Sequence, residues 1–356
     1  MDHREGTYRH LSTRLLSRRT LLKGAGAIFG AGMGAAILDA SSPAPLAASP
    51  ASGKKEKLLF RLGHEGTEQW QAHQLVKRFA ENVAKATDGQ MEIQIFPNGQ
   101  IGKSRDLAEG MQFGTIDMAV VGGDANVFFP DFDVLTAPFL FRDRTHFKKV
   151  MASPIAERLR KGWEDKGMKY LCIVDIGIRH VTNNKRPVNT VADLKGLKMR
   201  VVPSPVFLET FKALGATTVP IPFADLYVAL QQNVVDGEEN PTTTVRVMKY
   251  YEVQKYMSLT AHMFSTSPVL MSLNRWQGLS PDIQKVLMES VAEAEKWEHE
   301  FMLTDEDRSL EFLKTEGKMI VNTPTDLQSF VEATKTVAQK MRGNIPALAE
   351  QIRALR

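Results

Sequence analysis

Cysteine is nearly absent from this 356-residue chain; Cys172 is the only one. No disulfide can therefore form within the chain, and a thiolate cluster around a metal is excluded. Cys172 falls in the apolar run Tyr170–Val174, the setting of an inert core thiol rather than a reactive one. A run of about 20 apolar residues, the length a transmembrane helix needs, is also missing. The nearest approach, Gly24–Leu38, is too short and too rich in glycine. No internal repeat, no Gly-x-Ser-x-Gly elbow and no phosphate-binding loop occurs. His64-Glu65-Gly66-Thr67-Glu68 lacks the second histidine of a zinc-protease helix. No catalytic group, metal site or cofactor is therefore expected. Net charge is scarce as well. Residues 1–53 hold six Lys/Arg and three Asp/Glu, which leaves 39 basic and 38 acidic residues in the remainder. A near-neutral body with both signs interspersed lacks the basic stripe that nucleic acid requires.

What the chain does have begins with a leader. Ser17-Arg18-Arg19-Thr20-Leu21-Leu22-Lys23 precedes the mild apolar run and a small-residue region, Ala40–Ser52. Residues 1–53 read as a cleaved twin-arginine signal peptide, with Arg18 and Arg19 as its recognition pair. Cleavage can fall at Leu46-Ala47-Ala48 or at Ser49-Pro50-Ala51. The expected location is the periplasm, with no stable membrane insertion of the mature chain. The roughly 300 residues that remain can bury a sizeable core, divided between two lobes.

Strand and helix patterns alternate through that body. Lys57–His64, Met91–Phe96 and Asp117–Val121 read as strands, separated by helices over Glu68–Thr87 and Arg105–Phe113. Such alternation with short loops implies an α/β fold with a largely parallel sheet. Met168–Asp175 and Ile178–Thr182 continue the strands, with Gly177 between them as a candidate crossover. Lys198–Val202 alternates so that Met199 and Val201 face the core and Arg200 faces the other way. Strand Thr217–Val219 and helix Ala224–Gln232 follow, and Asn240 then falls in a Gly-Glu-Glu-Asn-Pro turn. Tyr256–Leu259 and Pro268–Leu273 read as two further strands near a second crossover. Ser280-Pro281 starts a helix reaching about Thr315, with serine as N-cap and proline in the first turn. Its charged stretch Glu293–Glu300 reads as a solvated face. Ligands in open α/β sheets bind beyond the carboxyl ends of strands. Arg200 stands there, and its planar five-donor fork suits a carboxylate.

The stretch Asp193–Pro241 resembles the solute-binding proteins of TRAP transporters (tripartite ATP-independent periplasmic transporters, DctP type). The likeness rests on Leu-Lys-Gly-Leu-Lys-Met-Arg (194–200), Ala-Leu-Gln-Gln-Asn-Val-Val-Asp-Gly (229–237) and Glu-Asn-Pro (239–241). Pro97–Gly102, Gly114–Met118, Ala137–Phe141 and Glu252–Tyr256 add to it in the family's order, from about Lys57 to the C-terminus. The resemblance implies a two-lobed periplasmic binding protein fold, with a ligand cleft between the lobes and a long helix spanning both. Lobe I would comprise 54–176 and 266–305, and lobe II 177–265 and 306–356. The implied function is capture of an organic acid anion, a class that includes dicarboxylates, for uptake through TRAP membrane permease subunits. A periplasmic sensor subunit and an α/β enzyme acting on organic acids are the alternatives. By the same resemblance Arg200 clamps the ligand carboxylate, Arg179 and Asn240 assist, and Phe223 packs on the ligand body. His64 and His262 fall where relatives place polar contacts. The chain departs from sugar-acid relatives at Val121-Gly122-Gly123-Asp124. Glycines there stand where several relatives carry an acid, with Asp124 shifted along, which argues against a polyhydroxylated ligand.

Overall fold

Strands and helices alternate from the first described residue. The computed structural model describes residues 57–355, so the expected signal segment with Arg18 and Arg19 lies outside the described residues. In chain order the elements are β1 (Leu58–Gly63), α1 (Gln71–Ala86), β2 (Met91–Phe96), α2 (Ser104–Gln112), β3 (Met118–Val120), α3 (Arg144–Met151), α4 (Pro154–Glu164) and β4 (Met168–Asn183). Then come β5 (Lys198–Val201), α5 (Pro205–Ala213), β6 (Thr217–Pro220), α6 (Leu226–Gln231), β7 (Gly237–Pro241), α7 (Thr242–Val247) and β8 (Tyr256–Ser272). The chain closes with α8 (Leu273–Gln277), α9 (Pro281–Thr315), β9 (Ile320–Asn322), α10 (Leu327–Thr334), α11 (Val337–Lys340) and α12 (Ile345–Ala354). Local chemistry explains the boundaries. In α1 the buried Ala72, Leu75, Val76, Phe79 and Val83 recur at helical spacing and form one apolar face. At the start of α9 the Ser280 hydroxyl accepts from the Ile283 N–H, with Pro281 in the first turn, as the sequence predicts.

The nine strands among the described residues form one sheet, ordered β2-β1-β3-β8-β4-β7-β5-β6, with β9 pairing β8. The sheet is mixed rather than largely parallel. β1 runs parallel to β2 and β3, and β5 to β6 and β7, but β8 is antiparallel to β3 and β4, and β4 to β7. Two expected strand pairs are each one continuous element. Met168–Asp175 and Ile178–Thr182 are the two ends of β4; Tyr256–Leu259 and Pro268–Leu273 fall largely within β8. Because β4 and β8 pair along their whole length, each persists through polar positions that look like breaks in one dimension. Gly237–Pro241 is likewise a central strand, β7, and not a turn. It lies between β4 and β5, and its two buried glutamates find partners there.

The two expected crossovers meet in space. Gly177 pairs with Ser265, and the register slips between Asp175 and Gly177. Gly177 has φ +111°, and a Cβ there would strike the Glu306 carboxylate and Pro241. Only glycine suits that position. On one side of this line β2, β1 and β3 continue the sheet; on the other side β7, β5, β6 and β9 do. Each lobe buries its own apolar cores, around Phe132 and Trp163 and around Phe60 and Phe79 in the first, and around Phe207 and Phe211 and around Tyr250 in the second.

Helix α9, 35 residues and about 50 Å long at 1.5 Å per residue, ties both lobes together. Asn82 of α1 donates to Ser290 O at 3.2 Å, and Arg246 of α7 pairs with Asp305 at 2.9 Å. Along the same helix Glu295, Glu298 and Glu306 accept the backbone N–H groups of Ile173, Asp175 and Ile178. The reading of Glu293–Glu300 as a solvated face therefore fails at Glu298, which is 0 % exposed. Burial first, and then Asp175, push its carboxyl well above the usual range. In the C-terminal helix α12, Ile345, Leu348 and Ile352 pack in the core around Phe132, and His146 lies 3.0 Å from Ile352 O.

Candidate functional site

The loops after β1, β3, β5 and β6 converge on a cavity of about 60 Å³ between the lobes. Its second-lobe wall carries Arg179, Arg200, Asn240, Phe207 and Phe223, and its first-lobe wall carries Glu65, Trp70, Ser104, Asp124 and Asn126. Ser265–Pro268 of β8 close it along the crossover.

Strand β5 places Arg200. Met199 and Val201 enter the second lobe's apolar core, so the alternate residue faces the cavity, as the pattern predicts. Arg200 is 1 % exposed. Its Nε donates to Ile221 O at 2.8 Å, while Nη1 has no hydrogen-bond partner among the described residues. Burial pulls its pKa down, with Tyr250 and Glu239 pulling the other way; a guanidinium still keeps its charge. A buried, charged donor without a protein partner is costly unless a ligand anion completes it.

Arg179 lies on the same wall but is already engaged. Its Nε and Nη2 donate to the Glu239 carboxylate, Nη2 also to Glu239 O, and Nη1 to the Ser265 hydroxyl at 3.0 Å. The guanidinium also lies 5.1 Å from the Phe207 ring centroid. Burial alone would raise the Glu239 carboxyl; Arg179 and His262 outweigh it and hold the group below the usual range. Asn240, one residue on, faces the cavity and donates to Glu238 Oε2 at 2.5 Å. Phe223 lines the cavity and leans on Trp70 at 5.4 Å between centroids, so Trp70 serves the cavity wall as well as packing.

Neither histidine lines the cavity. His64 is 0 % exposed, and its Nε2 meets His73 Nδ1 at 3.0 Å. Burial and then His73 push its pKa down to about 3, so it stays neutral behind Trp70. His262 is equally buried, 2.8 Å from Thr260 Oγ1 and 3.2 Å from Glu239 Oε2. The structure places both in a layer behind the wall, where His262 supports the carboxylate that holds Arg179. The physical reason is depth, since cavity-facing neighbours cover both side chains.

Sequence reasoning missed Glu65 and read Asp124 as shifted away from the site. Glu65 accepts from the Ser104 N–H at 3.0 Å, from the Ser104 hydroxyl, and from the Ala224 N–H of the opposite lobe at 3.3 Å. Asp124 lines the cavity too, and burial, then Glu65, push its carboxyl up to about 6. A Cβ on Gly122 would come 3.1 Å from Asp124 Oδ1, so Gly122 makes room for this carboxylate rather than replaces it. The argument against a polyhydroxylated ligand therefore loses its basis. One signal was available: both acids stand in the first loop after a parallel strand, β1 or β3. Among the described residues no group of three His, Cys, Asp or Glu side chains is placed to hold a metal ion, and no helix is long and apolar enough to cross a membrane.

An arginine-bearing cavity between two lobes joined by long strands and one long helix is a solute cleft, and comparison decides whose. Residues 62–344 match the family described as DctP, bacterial extracellular solute-binding protein, family 7. The chain belongs to that family. It is 33% identical over 298 residues to the 2,3-diketo-L-gulonate-binding periplasmic protein YiaO of Escherichia coli strain K12, covering 83% of this chain and 90% of that one. Its fold matches a TRAP periplasmic solute binding protein from Polaromonas sp. JS666 bound to D-erythronate, with TM-score 0.80 and 30% identity, over 84% of this chain and 99% of that one. The TRAP protein of Sulfurospirillum deleyianum with bound succinate matches with TM-score 0.79 and 28% identity, over 84% and 99% of the two chains. The family's members are solute-binding proteins, periplasmic in these examples, and the two-lobed architecture is theirs.

Proposed function

We propose that this protein captures a small organic acid by its carboxylate at Arg200, closes its lobes over it and delivers it to TRAP membrane permease subunits. The observation that carries this reading is the buried Arg200 fork, with Nη1 unpartnered and facing the cavity. Arg179 and Asn240 stand on the same wall, positioned by Glu239 and Glu238, and Phe223 offers an apolar face to the ligand body. The ligands named for these relatives, 2,3-diketo-L-gulonate, D-erythronate and succinate, are all carboxylic acids, which supports the class without choosing a member. The lobes divide at the Gly177–Ser265 pair, with α12 kept on the first lobe, and binding selects the closed arrangement by contacts made only there. The acid is bound and released unchanged. Arg18 and Arg19 direct export by the twin-arginine route, so replacing both with Lys abolishes delivery to the periplasm.

Calorimetry with the acid found by a thermal-shift screen tests the clamp. Arg200→Ala abolishes useful affinity, because loss of one partner of a buried charge pair costs about 2–5 kcal/mol. Arg200→Lys keeps the charge but loses the fork and binds markedly more weakly. A lysine variant that binds like the parent excludes the bidentate clamp.

A further inference from the structure

One buried bond across the cleft is made by a serine that leaves its own helix uncapped. Ser204 occupies the N-cap of α5, where a serine hydroxyl ordinarily accepts a first-turn N–H, but its side chain makes no such bond. It donates instead to Asp133 Oδ2 at 3.0 Å, on the 3-10 turn Pro130–Thr136 of the first lobe. The other oxygen, Asp133 Oδ1, accepts from the Asn126 amide at 2.6 Å. Ser204 and Asp133 are 0 % and 2 % exposed, and neither lines the cavity. Asn126, bonded to Asp133, and Pro203, next to Ser204, do line it. Among the described residues no cation pairs with Asp133. Burial pushes its carboxyl up to about 6, which the Asn126 and Ser204 bonds oppose only in part. The contact therefore carries two opposed effects. The Ser204 hydroxyl draws the start of α5, with Phe207 in its first turn, onto the first lobe. The carboxylate that it meets loses water on closure and regains it on opening, which favours the open arrangement. Opening also frees the hydroxyl to turn back on the first-turn N–H groups of α5.

We propose that Ser204 and Asp133 together set how long the closed, acid-loaded state lasts, the hydroxyl as a latch and the buried carboxylate as the spring that lets the acid be handed on. The inference rests on the capture and closure proposed above and adds the pair that times release. Both are positioning residues, since neither touches the cavity. Trp70 lies on the cavity wall, so stopped-flow tryptophan fluorescence reports binding. The probes are 2,3-diketo-L-gulonate, D-erythronate and succinate, and the readouts are the association and release rates of the full chain. Ser204→Ala should speed release about fivefold or more, because the buried carboxylate loses a hydrogen bond, and leave association near the parent rate. Asp133→Asn keeps the shape but drops the charge, and should slow release about threefold or more. A pair that merely supported the fold would move both variants the same way. Release left at the parent rate by Ser204→Ala, or not slowed by Asp133→Asn, overturns the proposal. Either variant decides alone if the other does not fold. The capture reading is judged separately. If an acid binds, Arg200→Ala abolishes it and Ser204→Ala leaves release unchanged, the clamp stands and only the latch falls. If none of the three acids binds the parent, capture itself falls and takes the latch with it.

Discussion

Glu238 and Glu239 are neighbours on β7, both 0 % exposed, and their partners drive them in opposite directions. Glu239 faces Arg179 and His262 and is held below the usual range. Glu238 has no such cation against it. Burial pushes it up to about 7, with the Thr182 hydroxyl at 2.7 Å and the Asn240 amide opposing only in part. Its folded value thus lies above the ordinary 4.5, so between about pH 4.5 and 7 the native state binds the proton more tightly than the unfolded chain does. Stability is lost through that window as pH rises. Glu238→Gln removes the term, so urea unfolding should show the variant gaining on the parent by up to about 3 kcal/mol between pH 4.5 and 8. An equal difference at both pH values would mean that Glu238 titrates normally. At this scale Arg200 was legible because a charge that alternates with Met199 and Val201 must leave the core. His64 and His262 were not, since sequence position fixes a residue's place along the chain but not which layer of side chains covers it. Glu65 escaped because an acid in a loop has no periodicity to set it apart, and for the same reason Asp124 was read as displaced from the site.

At the scale of elements, β4 and β8 decide the molecule's behaviour. Each crosses both lobes, and they are bonded at the line where Gly177 meets Ser265. Glu306 of α9 anchors this point: it accepts the Ile178 N–H at 2.7 Å and an Arg144 N–H at 2.8 Å. Gly177→Ala forces a Cβ into that carboxylate at positive φ. The variant should lose about 1–3 kcal/mol, the usual cost of such strain, seen as a lower urea midpoint with an unchanged slope. Midpoints that coincide would mean that the strand relaxes around the methyl group without cost. The helices were the readable elements here, since α9 carries its own start signal in Ser280-Pro281. The long strands were not, because a strand paired on both sides tolerates a polar residue, such as Asp175, that a one-dimensional pattern reads as an end. β7 was missed for the same reason: Gly-Glu-Glu-Asn-Pro has the composition of a turn, and only its buried partners make it a strand.

For the whole molecule the question is closure. Among the contacts that join the walls across the cleft, the Ala224 N–H donates to Glu65 at 3.3 Å, the buried Ser204 hydroxyl donates to Asp133 at 3.0 Å, and Lys103 pairs with Asp225 at 2.5 Å. The Lys103–Asp225 pair is exposed, and such a pair contributes only about 0–1 kcal/mol. Small-angle scattering should show a smaller radius of gyration when the bound acid saturates the protein, and Lys103→Ala should leave that compaction intact. An unchanged radius at saturation would remove the closure mechanism while leaving the clamp untouched.

The order of motifs, the alternation of strands and helices, the start of the long helix and the outward turn of Arg200 were determined by the sequence alone. Each depends on spacing along the chain, which one dimension records. Tertiary structure decided that one sheet runs through both lobes, that Arg179 is spent on Glu239 while Arg200 keeps a donor free, and that Glu65 and Asp124 share the cavity with it. These depend on which residues meet across some 60 to 160 positions of chain, and on the burial that sets their charge, neither of which a local pattern encodes.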